Sequence, residues 1–143
     1  MLVRAIALVA LLVVATLAYL WWNRRQGVVR QVEIPGALTP ADLGAARGAR
    51  ATLVQFSTPM CAKCPPTKAL LVRIAAEYPG VVHTDIDAEQ RLDLARRLDI
   101  MRTPTTLLLD ADGVVVARMN GAPNESQVRS ALDALPPGPD YSI

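Results

Sequence analysis

The two cysteines of this chain lie in one short motif, Cys61-Ala62-Lys63-Cys64, and what flanks it limits the folds open to the chain. Before it runs Ala51-Thr52-Leu53-Val54-Gln55-Phe56-Ser57, a mostly apolar stretch that reads as a strand buried on both faces. After it, Leu70, Leu71, Ile74 and Ala75 recur at helical spacing within Thr67–Tyr78. The thiols therefore sit where a strand ends and a helix begins. Two thiols separated by two residues close a small disulfide when their segment turns as the first turn of a helix. The first thiol then lies near the helix N-terminus, where the dipole favours a thiolate, and the thiolate is the form that attacks disulfides. A structural zinc site wants four Cys or His ligands, and His83 is the one further candidate. A c-type haem signature requires His directly after the second cysteine, where Pro65 stands.

A second feature stands apart from the rest. Ala5 to Trp22 is a run of 18 residues without a charge, and it accounts for much of the 52% hydrophobic content. Its length suits a bilayer-spanning helix. Tyr19, Trp21 and Trp22 gather at its end as an aromatic belt would, and Asn23, Arg24 and Arg25 stop it. A cleaved signal peptide would carry small residues where these bulky ones stand. Residues 1–25 are thus expected to be a single-pass N-terminal transmembrane anchor. Arg24, Arg25 and Arg30 after the run, against Arg4 before it, lean toward a cytoplasmic domain and leave export open. The net charge of +2, with no basic stripe interleaved with aromatics, gives no reason to expect nucleic acid as a partner.

Residues 26–38 read as a connector and residues 136–143 as a disordered, Pro-rich tail, leaving 39–135 as the folded domain. Thr39-Pro40-Ala41-Asp42 looks like a helix start, with Thr39 as N-cap, running to near Gly48. Pro79-Gly80 ends the helix after the cysteines. Val81–Ile86 is a second strand, and Glu89–Leu98 a helix with Leu92, Leu94, Ala95 and Leu98 inward. Thr105–Leu109 and Val114–Met119 are strands joined through Ala111-Asp112-Gly113, a tight-hairpin signal. Asn124 caps a last helix over Glu125–Leu135. Strands joined through helices are expected to be parallel, and the final hairpin adds an antiparallel edge.

This order, with C-x-x-C at the first strand-to-helix junction, resembles the thioredoxin family over roughly Ala51–Leu135. Phe56 stands where the family has an aromatic core residue. Asp85-Ile86-Asp87 looks like the end of the family's central strand. Thr103-Pro104-Thr105 matches a segment whose proline is cis and faces the redox pair, and Gly121-Ala122 matches the turn before the last helix. The resemblance implies an α/β thioredoxin-like fold, a central mixed sheet of about four strands flanked by helices, here preceded by one transmembrane helix. It looks like a small membrane-anchored bacterial thioredoxin-like protein.

By that resemblance Cys61 is the nucleophile and Cys64 resolves the mixed disulfide, while Met60, Thr103 and Pro104 contact substrate. Lys63 and Gln55 tune the pair. Three positions depart from the family pattern. Met60 replaces the usual Trp, keeping an apolar rim without the flat ring. Lys63 places a cation beside the first thiol, which favours the thiolate and a more oxidising disulfide. Gln55 stands where the family often has a buried, proton-shuttling Asp, and an amide cannot take that proton. Pro65-Pro66 disfavours helix at the residue before, so the helix either is irregular at Cys64 or begins at Pro65. His83 reads as a partly buried structural residue, and Asp87 as the start of a turn.

The function expected is a membrane-anchored thiol–disulfide oxidoreductase. It needs no cofactor beyond the Cys61–Cys64 disulfide and no metal. Its partners are protein thiol or disulfide substrates and an electron donor or acceptor, a reductase or a membrane thiol carrier. The alternative is a non-enzymatic module in which the two thiols hold a soft metal such as Cu(I), or a membrane-tethered scaffold.

Overall fold

The computed structural model describes residues 1–25, 29–30 and 36–136. The expected connector is described only at 29–30 and 36–38, and the tail beyond residue 136 lies outside the described residues.

The first element, α1 (Leu2–Arg25), is a continuous helix of 24 residues, about 36 Å long at 1.5 Å per residue. Its apolar part, Leu2–Trp22, is exposed along its length. Among the described residues it is the one helix long and apolar enough to cross a bilayer.

The folded unit is built around a mixed sheet. Its strands are β1 (Val29–Arg30), β2 (Ala51–Ser57), β3 (Val81–Asp87), β4 (Thr105–Asp110) and β5 (Val115–Asn120), in the spatial order β1-β5-β4-β2-β3. Four helices accompany them: α2 (Pro40–Leu43), α3 (Cys64–Glu77), α4 (Leu92–Arg97) and α5 (Glu125–Asp133). Strand β2 is the hub, parallel to β3 and antiparallel to β4. The two-residue β1 adds to the outer edge of β5, antiparallel, a pairing the connector gave no reason to expect.

Alternation along β2 divides the molecule into two layers. Ala51 and Leu53 pack with Leu71, Ile74 and Ala75 of α3 and with Val128, Ala131 and Leu132 of α5. Val54 and Phe56 face the other way, against Leu94, Ala95 and Leu98 around α4 and against Leu38 and Leu43. Covering both faces explains why six consecutive residues of β2 are buried, each large one worth about 1.5–3 kcal/mol of burial.

Three expectations need correction. First, β4 is not parallel to the strands before it: Phe56 pairs with Thr105 and Ala51 with Asp110. The reason is length. The six residues of α4 span about 9 Å, less than half a six-residue strand at about 3.3 Å per residue. The chain therefore never returns to the far end of the sheet, and β4 starts at the end where β3 stopped. Second, Asp85-Ile86-Asp87 closes an edge strand among the described residues, since β2 and β4 occupy the centre. Third, Leu92 is exposed. Asp87 Oδ1 accepts from the N–H of Glu89 and Gln90 and holds a turn there, which delays α4 to residue 92.

Local chemistry explains the other boundaries. Thr39 and Asp42 form a reciprocal capping box at α2. That helix stops at Gly44, whose φ of 66° is left-handed, well before Gly48. Asn124 and Gln127 form the same box at α5. In the β4–β5 turn the Asp110 carboxylate accepts from Asp112 and Val114 N–H, and Gly113 takes φ 86°.

Candidate functional site

The cysteines sit at the carboxyl end of β2, and α3 begins at Cys64 itself, with Lys63 as N-cap and Pro65 and Pro66 in the first turn. They form a disulfide with Cα atoms 5.4 Å apart. The Cys64 N–H bonds Cys61 C=O and the Thr67 N–H bonds Lys63 C=O, both at 3.2 Å. Pro65 and Pro66 have no N–H. The first turn of α3 therefore presents no spare N–H to an anion, and what it offers a Cys61 thiolate is its dipole.

The two sulfur-bearing residues differ in access. Cys61 is half-buried, while Cys64 retains only 4% of its surface. An outside disulfide thus reaches Cys61 first. Met60, directly before it, is 92% exposed, and Lys63 is exposed.

Because β4 starts beside the end of β2, the Arg102–Pro104 loop lies at the same end of the sheet as the cysteine loop. The Thr103–Pro104 peptide bond is cis. The two loops are tied by a hydrogen bond between Thr58 Oγ1 and Thr103 Oγ1 of 3.1 Å. Thr105 Oγ1 donates to Arg102 C=O, and Gly121 N–H donates to Pro104 C=O, each fixing the loop from a different side. Met101, just before this loop, is an 84% exposed apolar side chain that sequence reading passed over. Its position two residues before Thr103-Pro104 was the available signal.

Below the disulfide, Gln55 is fully buried. Its Nε2 donates to Cys64 C=O and to Ser57 Oγ, both at 3.0 Å. Its Oε1 lies 3.2 Å from His83 Nε2. Ser57 Oγ donates to Asp85 Oδ1 at 2.7 Å, and Lys68 Nζ pairs with Asp85 Oδ2 at 3.2 Å. His83 is held below its ordinary pKa chiefly by burial; the Asp85 carboxylate works against this and Lys68 with it. The Thr106 hydroxyl, beside Gln55 in register, is buried with no partner among the described residues. Sequence reading singled out Gln55 but missed the set around it. The two-residue spacing of Gln55 with Ser57, and of His83 with Asp85, was the available clue that each pair shares a face.

The structure thus brings Cys61, Cys64, Met60, Lys63, Thr103 and Pro104 to one end of the sheet and puts Gln55 beneath Cys64. Among the described residues, no group of three or more His, Cys, Asp or Glu side chains comes together to hold a metal ion. The arrangement is suited to one kind of chemistry: a thiol at the surface and a second thiol buried beside it, interconverting between dithiol and disulfide.

Comparison with known proteins agrees. The thioredoxin family model matches residues 45–134. An H-type thioredoxin of Populus jackii is 28% identical over 96 residues, covering 65% of this chain and 68% of its own length. A thioredoxin of Ophiophagus hannah is 34% identical over 76 residues, covering 52% of this chain and 71% of that one. The solved thioredoxin of Fasciola hepatica superposes with a TM-score of 0.54 at 24% identity, covering 62% of this chain and 84% of its own. The family match spans more than half the chain and contains the Cys61–Cys64 pair at its strand–helix junction, so the chain belongs to the thioredoxin family and is a thiol–disulfide oxidoreductase.

Proposed function

We propose that the chain is held at a membrane by α1 and exchanges disulfides with protein substrates there. The observation that carries the exchange chemistry is the unequal burial of the two cysteines beside the Thr103–Pro104 loop. In the reducing direction, the Cys61 thiolate attacks a substrate disulfide. A Cys61–substrate S–S bond forms, and one substrate thiolate leaves and takes a proton. The Cys64 thiolate then attacks Cys61 Sγ, the mixed disulfide breaks, and the second substrate thiol is released. Cys61–Cys64 ends oxidised and the substrate reduced by two electrons. The oxidising direction is the reverse. An electron donor or acceptor, a reductase or a membrane thiol carrier, restores the starting form.

Met60 supplies apolar contact, and the backbone at Thr103 pairs with the substrate segment next to the disulfide. Lys63 favours the thiolate form of Cys61. The length and uniform exposure of the apolar part of α1 support anchoring, and the arginines following it favour a domain on the cytoplasmic side.

The test uses the reduced full-length chain in detergent with a disulfide-linked peptide. Cys64→Ser should accumulate a covalent mixed disulfide through Cys61, and Cys61→Ser should form none. Equal behaviour of both variants and the parent chain would refute the assignment of roles. For the anchor, the chain should stay with vesicles through alkaline extraction, and release into the supernatant would refute it.

A further inference from the structure

Among the described residues β3 is an edge strand, and its hydrogen bonds identify the backbone groups it leaves over. The strand is seven residues long, and its register against β2 runs unbroken from Ala51↔Val81 to Ser57↔Asp87. Just beyond its ends, Ala88 N–H donates to Ser57 C=O and Ala51 N–H donates to Gly80 C=O. In such a ladder every second residue turns both backbone groups toward the neighbour. Val82, Thr84 and Ile86 therefore face β2, while Val81, His83, Asp85 and Asp87 face outward. Two of the outward groups are taken: Val81 N–H donates to Tyr78 C=O, and Asp87 C=O accepts from Arg91 N–H. Val81 C=O, both groups of His83, both groups of Asp85 and Asp87 N–H remain, with no backbone partner among the described residues.

These groups are their own complement. We propose that the free edge of β3 pairs with the β3 edge of a second copy of this chain, antiparallel about a two-fold axis at Thr84, so that one sheet runs through a homodimer. That axis sets His83 opposite Asp85 of the second copy, and each such pair exchanges two N–H···O=C bonds. At either end of the ladder Asp87 N–H meets Val81 C=O. The two groups already taken, Val81 N–H and Asp87 C=O, are the two that would otherwise face each other there. Moving the axis to Asp85 sets two carboxylates against each other, which is unfavourable. Moving it to His83 strands Asp85 C=O and Asp87 N–H. With the axis at Thr84, imidazole lies opposite carboxylate on one face, and Val82 lies opposite Ile86 on the other.

Nothing along the strand guards it. Solvent-facing edges are kept apart by lysine, proline or a bulge, and β3 has no lysine, no proline and no break in register. Val82 and Asp85 are exposed, and His83 and Thr84 are half-buried. The bond from Lys68 to Asp85 sets one side of α3 beside the edge. One turn on, at the i+4 position of that side, Val72 is an exposed apolar residue that α3 of a second copy would cover. The connector cannot take the place of the second copy. Arg30 is paired with β5, and Leu38 N–H bonds Gly113 C=O at the β4–β5 turn. The six steps from Arg30 to Gly36 reach at most about 22 Å. Four strand spacings separate β1 from β3, about 19 Å for a one-way crossing, so the chain between these anchors is too short to reach β3 and return.

The experiment measures the mass of the full-length chain in detergent by sedimentation and traps the pairing by cross-linking. The parent should be a dimer that dissociates on dilution. Thr84→Lys brings two ammonium groups together at the axis, where paired Cα atoms are about 4.5 Å apart. It should be monomeric with the parent's circular dichroism. In a Cys61→Ser, Cys64→Ser background, Thr84→Cys should be captured as a disulfide-linked dimer by a mild oxidant, since that spacing suits a disulfide. Val82→Cys shares the face of Thr84 but lies about 13 Å along the strand from its own copy, and it should stay unlinked. A parent that is monomeric at the highest concentration that dissolves would overturn the proposal. So would a dimer that Thr84→Lys leaves intact, because the contact would then lie elsewhere, α1 included. Equal cross-linking at positions 82 and 84 would overturn the register and the pairing derived from it. A monomeric parent that dimerises once residues 137–143 are removed would overturn it as well, the edge then being occupied from within the chain.

Discussion

The bond between Thr58 and Thr103 is the one side-chain tie described between the loop that carries Cys61 and the loop that carries Pro104, so its worth can be isolated. Both side chains are half-buried, and a neutral hydroxyl pair at 3.1 Å contributes about 1 kcal/mol net. Thr58→Val and Thr103→Val each keep the side chain's shape and delete one hydroxyl, so each should destabilise the oxidised chain by about 1 kcal/mol. The double variant has lost the same bond only once and should also lie about 1 kcal/mol below the parent, which makes the coupling energy about 1 kcal/mol. Urea unfolding of the four proteins, followed by circular dichroism in one detergent, measures the cycle. Midpoints should shift by roughly 0.5 M for an m-value near 2 kcal/mol/M. The same loss bounds the functional effect: if the tie holds the two rims of the substrate cleft in place, kcat/KM should fall by at most about fivefold, equally in each single variant and the double. Single effects that sum to the double within about 0.3–0.5 kcal/mol would refute the reasoning, because the two hydroxyls would then be acting independently.

Two further predictions concern the periphery. Hydrogen bonds from Arg73, and next from Arg129, hold the Glu125 carboxyl down at about 2 from 4.5. A carboxyl depressed in the folded state stabilises above its unfolded pKa, and that stability is lost as pH falls through the window from about 4.5 to about 2. Glu125→Gln should flatten the urea-midpoint profile in that window, and an unchanged profile would show that the α3–α5 ion cluster is fully screened. Met60→Ala should leave the midpoint within about 0.5 kcal/mol of the parent, as expected of an exposed side chain, while lowering kcat/KM for peptide disulfides; an unchanged kcat/KM would remove Met60 from the substrate contact.

What was legible in the sequence is what local chemistry decides. The limits of β2 follow from an apolar run between loops, and the starts of α2 and α5 follow from Thr39 and Asn124, whose capping boxes the structure contains. The direction of β4 was not legible in the same way. A helix between two strands suggests a parallel crossover only if the helix is long enough to retrace the sheet. Asp87 ties down the N–H groups of Glu89 and Gln90, shortening α4 and leaving Leu92 in solvent. That carboxylate holds the turn where the helix would otherwise begin, and nothing in the apolar periodicity of 89–98 records it.

The site divides along the same line. The cysteines, Met60, Lys63 and the Thr103–Pro104 pair are contiguous motifs, and contiguous motifs can be read one at a time. The Thr58–Thr103 tie and the Asp85–Ser57–Gln55–His83 chain exist only once β2 has been placed in register with β3 and β4. Taken alone, Gln55 is a deficit, an amide where a proton acceptor would be more useful, and His83 is an ordinary half-buried imidazole. Register changes both readings. The amide's N–H₂ group is taken by Ser57 and by the Cys64 carbonyl, and its oxygen by His83. In this chain the departure from the family pattern at Gln55 is therefore better treated as one member of a fully bonded set, reaching from the Cys64 backbone to the sheet edge, than as a missing part.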